Sequence, residues 1–493
     1  MSQVKRTLDK DLEKIVHVEA AAQSVAGNLR SHGIAVIFLG LSALLAAALV
    51  GVSSDTAMVV VAAILGGYMA LNIGANDVAN NVGPAVGSRA LTLFGALVIA
   101  AIFESAGALL AGGDVVSTIS KGIIDPSLVE DASVFVLAMM SALVAAALWV
   151  NLATFVGAPV STTHAVVGGV MGAGIAAVGF QLVNWGTMGA IAASWVISPL
   201  MGGVIAAGFL AFIKINLIYR DDKIAAARRW VPMLVAIMAG AFAWYLAVKG
   251  FKRIWRPEIQ TVIIIALVTF FAVWAIMRPL IRRQSEGMEN RNQSLRILFR
   301  IPLICSAALL SFAHGANDVA NAIGPLAAIL STVQSGDIAA KVEVPIWIMT
   351  IGAFGISLGL FLYGPKLIRM VGDQITKMNP MRAYCVALSA AITVIIASWL
   401  GLPVSSTHIA VGAVFGVGFF REYYTGRSKR RREMVSRSGK SSPEDPPVAP
   451  EVLRSRKLVR RSHFLTIIAA WVITVPATAI MSALVFFGLS LVV

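Results

Sequence analysis

The stretch Gly74-Ala75-Asn76-Asp77-Val78-Ala79-Asn80 decides how this chain is read. It closes an apolar segment: from Thr56 to Asn76 there is no Asp, Glu, Lys or Arg, and then Asp77 appears. A carboxyl at membrane depth is costly, which makes it a functional-site hypothesis by default. The same seven residues recur unchanged from Gly315 to Asn321, offset by 241 residues, with Asp318 in the acidic place. Each copy soon reaches Gly-Pro, at Gly83-Pro84 and Gly324-Pro325. A helix interruption duplicated half a chain apart, with the same acid and amides, points to a transporter built from two repeats.

Composition agrees. Of 493 residues, 58% are hydrophobic and 13% charged, with mean hydropathy +0.82, the profile of a polytopic membrane protein. Lys and Arg number 40 against 25 Asp and Glu. These basic residues cluster between apolar runs, as cytoplasmic loops do, so no nucleic-acid partner is expected. Cys305 and Cys385 lie in apolar runs and offer neither metal spacing nor a disulfide framework. The first 30 residues are mixed in charge without an apolar core, so no cleavable signal peptide is expected.

Residues 1–32 read as a cytosolic arm, either a plain tail or an amphipathic helix, and 33–56 as an extra N-terminal span. Residues 57–219 form the first repeat. Its second span carries Glu104, and a short, net acidic loop with Asp114, Lys121, Asp125, Glu130 and Asp131 follows. From Ala132 to Ile213, 82 residues contain no Asp, Glu, Lys or Arg, room for three crossings. In their middle stands Gly157-Ala158-Pro159-Val160-Ser161-Thr162-Thr163-His164, which recurs as Gly401-Leu402-Pro403-Val404-Ser405-Ser406-Thr407-His408 at an offset of 244. Whole halves are therefore duplicated. Residues 220–300 connect them through two spans and a basic linker, and 301–493 form the second repeat. A basic loop at 421–462 interrupts it and reads as disordered; Arg421 to Arg461 holds 13 Lys or Arg and 5 Asp or Glu.

Placing the three most basic loops in the cytoplasm orients the chain, with Val493 outside. Lys249 to Arg256 is the exception, basic but outside. On this count the span with Asp77 runs inward and that with Asp318 runs outward, so the repeats are inverted and their site lies near the midplane. The expected fold is an all-α polytopic membrane protein with two inverted-topology repeats and broken helices. It has about 12 core spans plus the extra N-terminal one.

The twin G-A-N-D-V-A-N and twin P-V-S-[ST]-T-H segments, with Lys121-Gly122-Ile123-Ile124-Asp125 and Phe103-Glu104-Ser105, resemble the inorganic phosphate transporter (PiT) family of phosphate–cation symporters. The resemblance runs from about Ala57 to Val493, apart from the basic loop. It implies re-entrant hairpins at the hydroxyl segments, whereas the charge count asks for a net crossing there. It also implies import of inorganic phosphate by symport with Na+ or H+, a likeness to homodimers, and a multi-pass protein of the plasma (inner) membrane. No enzyme activity and no cofactor are expected.

A desolvated phosphate needs donors in place of its water. Ser161, Thr162, Thr163, Ser405, Ser406 and Thr407 supply hydroxyls, helix starts add N–H groups, and Asn76 and Asn317 are further candidates. Asp77 and Asp318 cannot face an anion bare. With Asn80, Asn321 and Glu104 they are the candidate cation-coupling groups, offering hard oxygens that suit Na+. Glu104 is either a coupling acid or a packed, protonated one. His164 and His408 are read as capping or packing residues before proton shuttles, and the glycines after them as close helix packing. His314 stands where the first motif has Ile73, so symmetry gives it no shared role. In eukaryotic relatives a second glutamate lies in the span before the second hydroxyl motif; from Cys385 to Gly401 this chain has no acid, which leaves the coupling ion open between Na+ and H+. A sulfate or other oxyanion carrier on the same scaffold is the alternative. An intramembrane aspartyl protease is remote, since a protease has no use for the Asn and hydroxyl surroundings.

Overall fold

The computed structural model describes residues 7–51, 56–129, 131–158, 160–250, 255–335, 344–370, 378–428 and 461–491. They form sixteen α-helices and no strand; the only β-type pairing is an isolated bridge between Ile124 and Val183. Eleven helical segments among them are long and apolar enough to cross a membrane. Their outer faces carry Phe155, Leu200, Val204, Ile264 and Phe271, well exposed, as a hydrocarbon solvent permits.

Helix α1 (Thr7–Val50) joins the N-terminal arm and the first span into one rod, apolar from Leu29. Helix α2 (Thr56–Asn76) stops at Asp77 and α3 (Val78–Gly87) resumes at once, so the first signature is a broken helix. The second is not: α12 (Arg300–Ser335) runs through Asp318 without interruption and is buried nearly throughout. The duplicated sequence thus breaks one helix and leaves the other whole. Helix α4 (Leu93–Ala111) carries Glu104. The acidic stretch after it is more than a loop, because it contains α5 (Gly113–Lys121) and a short 3-10 turn at Pro126–Leu128. Glu130 lies outside the described residues.

Both hydroxyl segments are hairpin turns. Helix α6 (Ala132–Val156) ends on Gly157 at φ +77°, a left-handed close that glycine adopts without strain, and Ser161 caps α7 (Thr162–Ala177). Helix α14 (Pro380–Trp399) reaches Gly401 at φ +68°, and Ser405 caps α15 (Ser406–Arg427). The loop expected over 421–462 is shorter at both ends, because α15 runs on through Arg427 and α16 (Arg461–Ser490) begins at Arg461; residues 429–460 lie outside the described residues. The remaining helices are α8 (Trp185–Ile213), α9 (Lys223–Tyr245), α10 (Ile259–Gln284), α11 (Asn292–Leu298) and α13 (Ile346–Met370). Eleven of the described segments reach spanning length and α7 is a shorter apolar helix, against the twelve-plus-one spans expected.

The halves interlace. Glycines let backbones touch, and they do so in mirrored pairs. A Cβ on Gly74 of α2 would collide with Ile356 O of α13, and one on Gly315 of α12 with Glu104 O of α4. Gly359 is likewise pressed on Leu71, and Gly107 on Phe312. Gly168 and Gly172 of α7 lie on Val475 and Ala479 of α16; Gly412 and Gly416 of α15 lie on Pro199 and Gly203 of α8. In each case a helix of one half packs on the matching partner from the other, the close contact that small residues give in lipid. Lys249, the basic residue expected outside, has its Nζ 2.5 Å from Asp114 Oδ2, so it shares a face with the acidic stretch.

Candidate functional site

The N-termini of α7 and α15 meet in the middle of the bundle, where Thr163 Oγ1 donates to Val404 O at 3.0 Å. Asp77, at the break between α2 and α3, faces both. Thr162 Oγ1 donates to its Oδ2 at 2.7 Å, and Thr407 Oγ1 to its Oδ1 at 3.4 Å. One carboxyl therefore takes hydroxyls from both hairpins. The amides cross over as well. Asn80 Nδ2 donates to Thr407 Oγ1 at 2.9 Å, and Asn321 Nδ2 donates to Thr163 Oγ1 at 3.0 Å.

Asn76 and Asn317 point elsewhere. Asn76 Nδ2 donates to Thr154 Oγ1 (2.9 Å) and Ala158 O (3.4 Å), bracing the first turn. Asn317 Nδ2 donates to Ser398 Oγ (3.0 Å) and Leu402 O (3.2 Å), and its Oδ1 accepts from Val404 N, bracing the second. Thr154 and Ser398, like Ala158 and Leu402, are 244 residues apart, so the Nδ2 contacts are duplicated, whereas Asn76 Oδ1 is buried without a partner. Ser161 and Ser405 serve as N-caps, accepting from His164 N and His408 N. Ser406 Oγ is buried and has no hydrogen-bond partner, nor have Asp318 Oδ1 and Asn321 Oδ1.

Around Asp318 the symmetry ends. His314, one helical turn earlier on the same face, holds Nε2 2.9 Å from Asp318 Oδ2, an ion-pair approach out of line for a hydrogen bond. Its Nδ1 lies 2.6 Å from Glu104 Oε2, and Asn81 Nδ2 donates to Glu104 Oε1 at 2.8 Å. All four side chains are buried. In the other half Ile73 and Ile356 occupy the matching places. Ligand atoms of Asp77, His314 and Asp318 fall within 4.8 Å of one another, a grouping able to hold a cation.

The structure thus gathers Asp77, Asp318, Asn80, Asn321, Thr162, Thr163, Ser406 and Thr407 into one buried region, with Ser161 and Ser405 at its helix caps. Asn76 and Asn317 are set behind the turns, and Glu104 is reached through His314. His314 and Asn81 are the residues symmetry reasoning passed over. Their signals were present: a histidine four residues before an aspartate on one helix shares its face, and Asn81 directly follows the first signature.

The family profile described as the phosphate transporter family matches residues 73–482, most of the chain. The chain belongs to the phosphate transporter family. A putative phosphate permease of Helicobacter pylori strain J99 is 44% identical over 528 aligned positions, covering 98% of this chain and 99% of that protein. One from Pyrococcus abyssi is 36% identical, covering 86% and 96%. A solved structure, the sodium-dependent phosphate transporter, aligns with a TM-score of 0.79 at 33% identity, over 89% of this chain and all of that one. This member of the family is a multi-pass integral membrane protein and a transporter rather than an enzyme.

Proposed function

We propose that this phosphate transporter is a symporter, moving inorganic phosphate inward across the plasma membrane with Na+ through the pocket where α7 and α15 meet. The observation that carries the reading is the double engagement of Asp77 by Thr162 and Thr407, one hydroxyl from each hairpin. Those hydroxyls are spent on the carboxyl. A cation seated on Asp77 takes over the charge compensation and frees both to turn toward an anion, beside the unpartnered Ser406 hydroxyl. The first N–H groups of α7 and α15 have no acceptor within their helices, and they add a favourable dipole for phosphate. Binding of cation and anion is then one coupled event.

Charge bookkeeping points the same way. Three buried carboxyls, Asp77, Glu104 and Asp318, share one imidazole, His314. With all three ionised, even a charged ring would leave two negative charges, which bound cations or protons must meet before phosphate can follow. Carboxylate and amide oxygens are hard ligands that suit Na+, and the sodium dependence of the solved relative supports that ion over H+. The mirrored packing supports reading 57–219 and 301–493 as two inverted repeats joined by 220–300, and a homodimer belongs to the same proposal.

The test is uptake of radiolabelled phosphate into proteoliposomes under an imposed sodium or proton gradient, with sulfate and arsenate as competitors. Sodium-driven uptake, blocked by arsenate and indifferent to sulfate, is expected. Uptake driven by a proton gradient alone would transfer the coupling to H+. Preference for sulfate would replace the substrate.

A further inference from the structure

One buried side chain beside the pocket has no task in the chemistry above. The backbone N–H of His164 donates to Ser161 Oγ at 3.1 Å, which is ordinary N-capping. Its ring returns to the same atom, with Nδ1 2.7 Å from Ser161 Oγ. The ring is held in place, stacked on Trp195 with centroids 3.7 Å apart and planes at 28°, and the His408 ring lies 4.6 Å away. Trp195 is anchored in turn, its Nε1–H donating to Pro403 O in the turn of the other hairpin at 3.1 Å. A histidine present only to fill space has no need to set a ring nitrogen on the cap oxygen.

A serine hydroxyl has one hydrogen and two lone pairs. The His164 amide fills one lone pair. If Nδ1 carries the ring proton, it fills the second, and the hydroxyl hydrogen is left for a third partner. If Nδ1 is bare, the hydrogen goes to the ring instead. The tautomer of His164 therefore sets whether Ser161 can donate to a ligand.

We propose that His164 is a positioning residue for the anion: as the Nδ1–H tautomer it donates to Ser161 Oγ and reserves the Ser161 hydroxyl hydrogen for a phosphate oxygen. The proposal rests on the reading that Ser161 belongs to the phosphate site. It also gives the hairpins a physical link, since the path Pro403, Trp195, His164, Ser161 lets the turn of one fix a donor on the other.

The experiment measures KM and Vmax for phosphate uptake at saturating sodium for the full-length protein, S161A, H164F, S161A/H164F, H164N and H164Q. Phe keeps the stack on Trp195 but loses Nδ1. Asn places an amide N–H near the position of Nδ1, whereas Gln places it near Nε2. S161A and H164F should each raise KM about tenfold or more, the loss expected for a buried donor to a charged ligand. The double variant should be no worse than S161A, and H164N should stay within about threefold of wild type while H164Q does not. An unchanged KM in H164F beside a raised KM in S161A would overturn the role of His164 and leave the phosphate site standing. Losses that multiply in the double variant would place His164 on some other path and overturn it too. An unchanged KM in S161A would remove Ser161 from the site, and the inference with it. Should H164F fail to insert, the Asn and Gln variants decide: near-normal KM in H164N with a raised KM in H164Q supports the proposal, and the reverse refutes it.

Discussion

Two aspartates carry the coupling account, and they are not equivalent. Asp77 is held by hydroxyls and Asp318 by an imidazole that reaches on to Glu104. We predict that Asp77→Asn abolishes the sodium dependence of phosphate binding while leaving the protein folded, because Asn keeps the volume but cannot balance a cation; equal phosphate affinity with and without sodium is the readout. His314→Gln retains hydrogen-bonding capacity but not the possibility of a charged ring. It should leave sodium dependence at Asp77 in place and slow uptake at least tenfold, seen as a fall in Vmax under an imposed gradient. Both aspartates were legible in the sequence because an acid in an apolar run is conspicuous and theirs is duplicated. His314 was not, because duplication was the filter and its counterpart is Ile73. A residue that acts by breaking the symmetry is invisible to a search for symmetry.

At the scale of elements, the hydroxyl motifs were readable as breaks, but which helices they would meet was not. Sequence offsets report that halves are duplicated and are silent on whether each packs within itself or across. The answer lies in backbone contact at glycines, and it can be tested. Gly315→Ala places a methyl against Glu104 O at the tightest crossing of α12 and α4. Overpacking of this kind costs about 1–3 kcal/mol or more, so a clear drop in thermal midpoint and in inserted yield is expected. Gly40→Ala on α1 meets nothing within 4 Å and should leave the midpoint unchanged or raise it slightly. Equal behaviour of the two variants would deny that the crossing is tight. The first signature was read as a break and is one; the second was read likewise and is continuous. Seven identical residues thus give two backbone outcomes, so the surroundings decide, with Asp77 drawn toward the hairpin tips and Asp318 held beside His314.

For the whole molecule, loop charge predicts an orientation of the chain, and the interlaced halves bring both hairpins to one point. A cysteine placed at Ser438 should react with an impermeant thiol reagent only from the cytoplasmic side, while one at Asp125 should react only from outside. Labelling with the opposite sidedness would invert the topology. The broad architecture was readable because apolar length and basic loops are properties of composition. The pocket itself was readable only as a set of residues, since its assembly depends on contacts between segments 85 to 330 positions apart. The central claim is that the hydroxyl motifs of both hairpins hold one phosphate beside one cation. It is tested most directly by phosphate affinity of purified Thr162→Val, Ser406→Ala and their double variant, each with and without sodium. Each single should weaken sodium-dependent binding by about 10- to 100-fold, and the double should depart from the product of the singles, as groups on a shared ligand do. Unchanged affinity in both singles, with protein folded and inserted, would contradict the shared pocket.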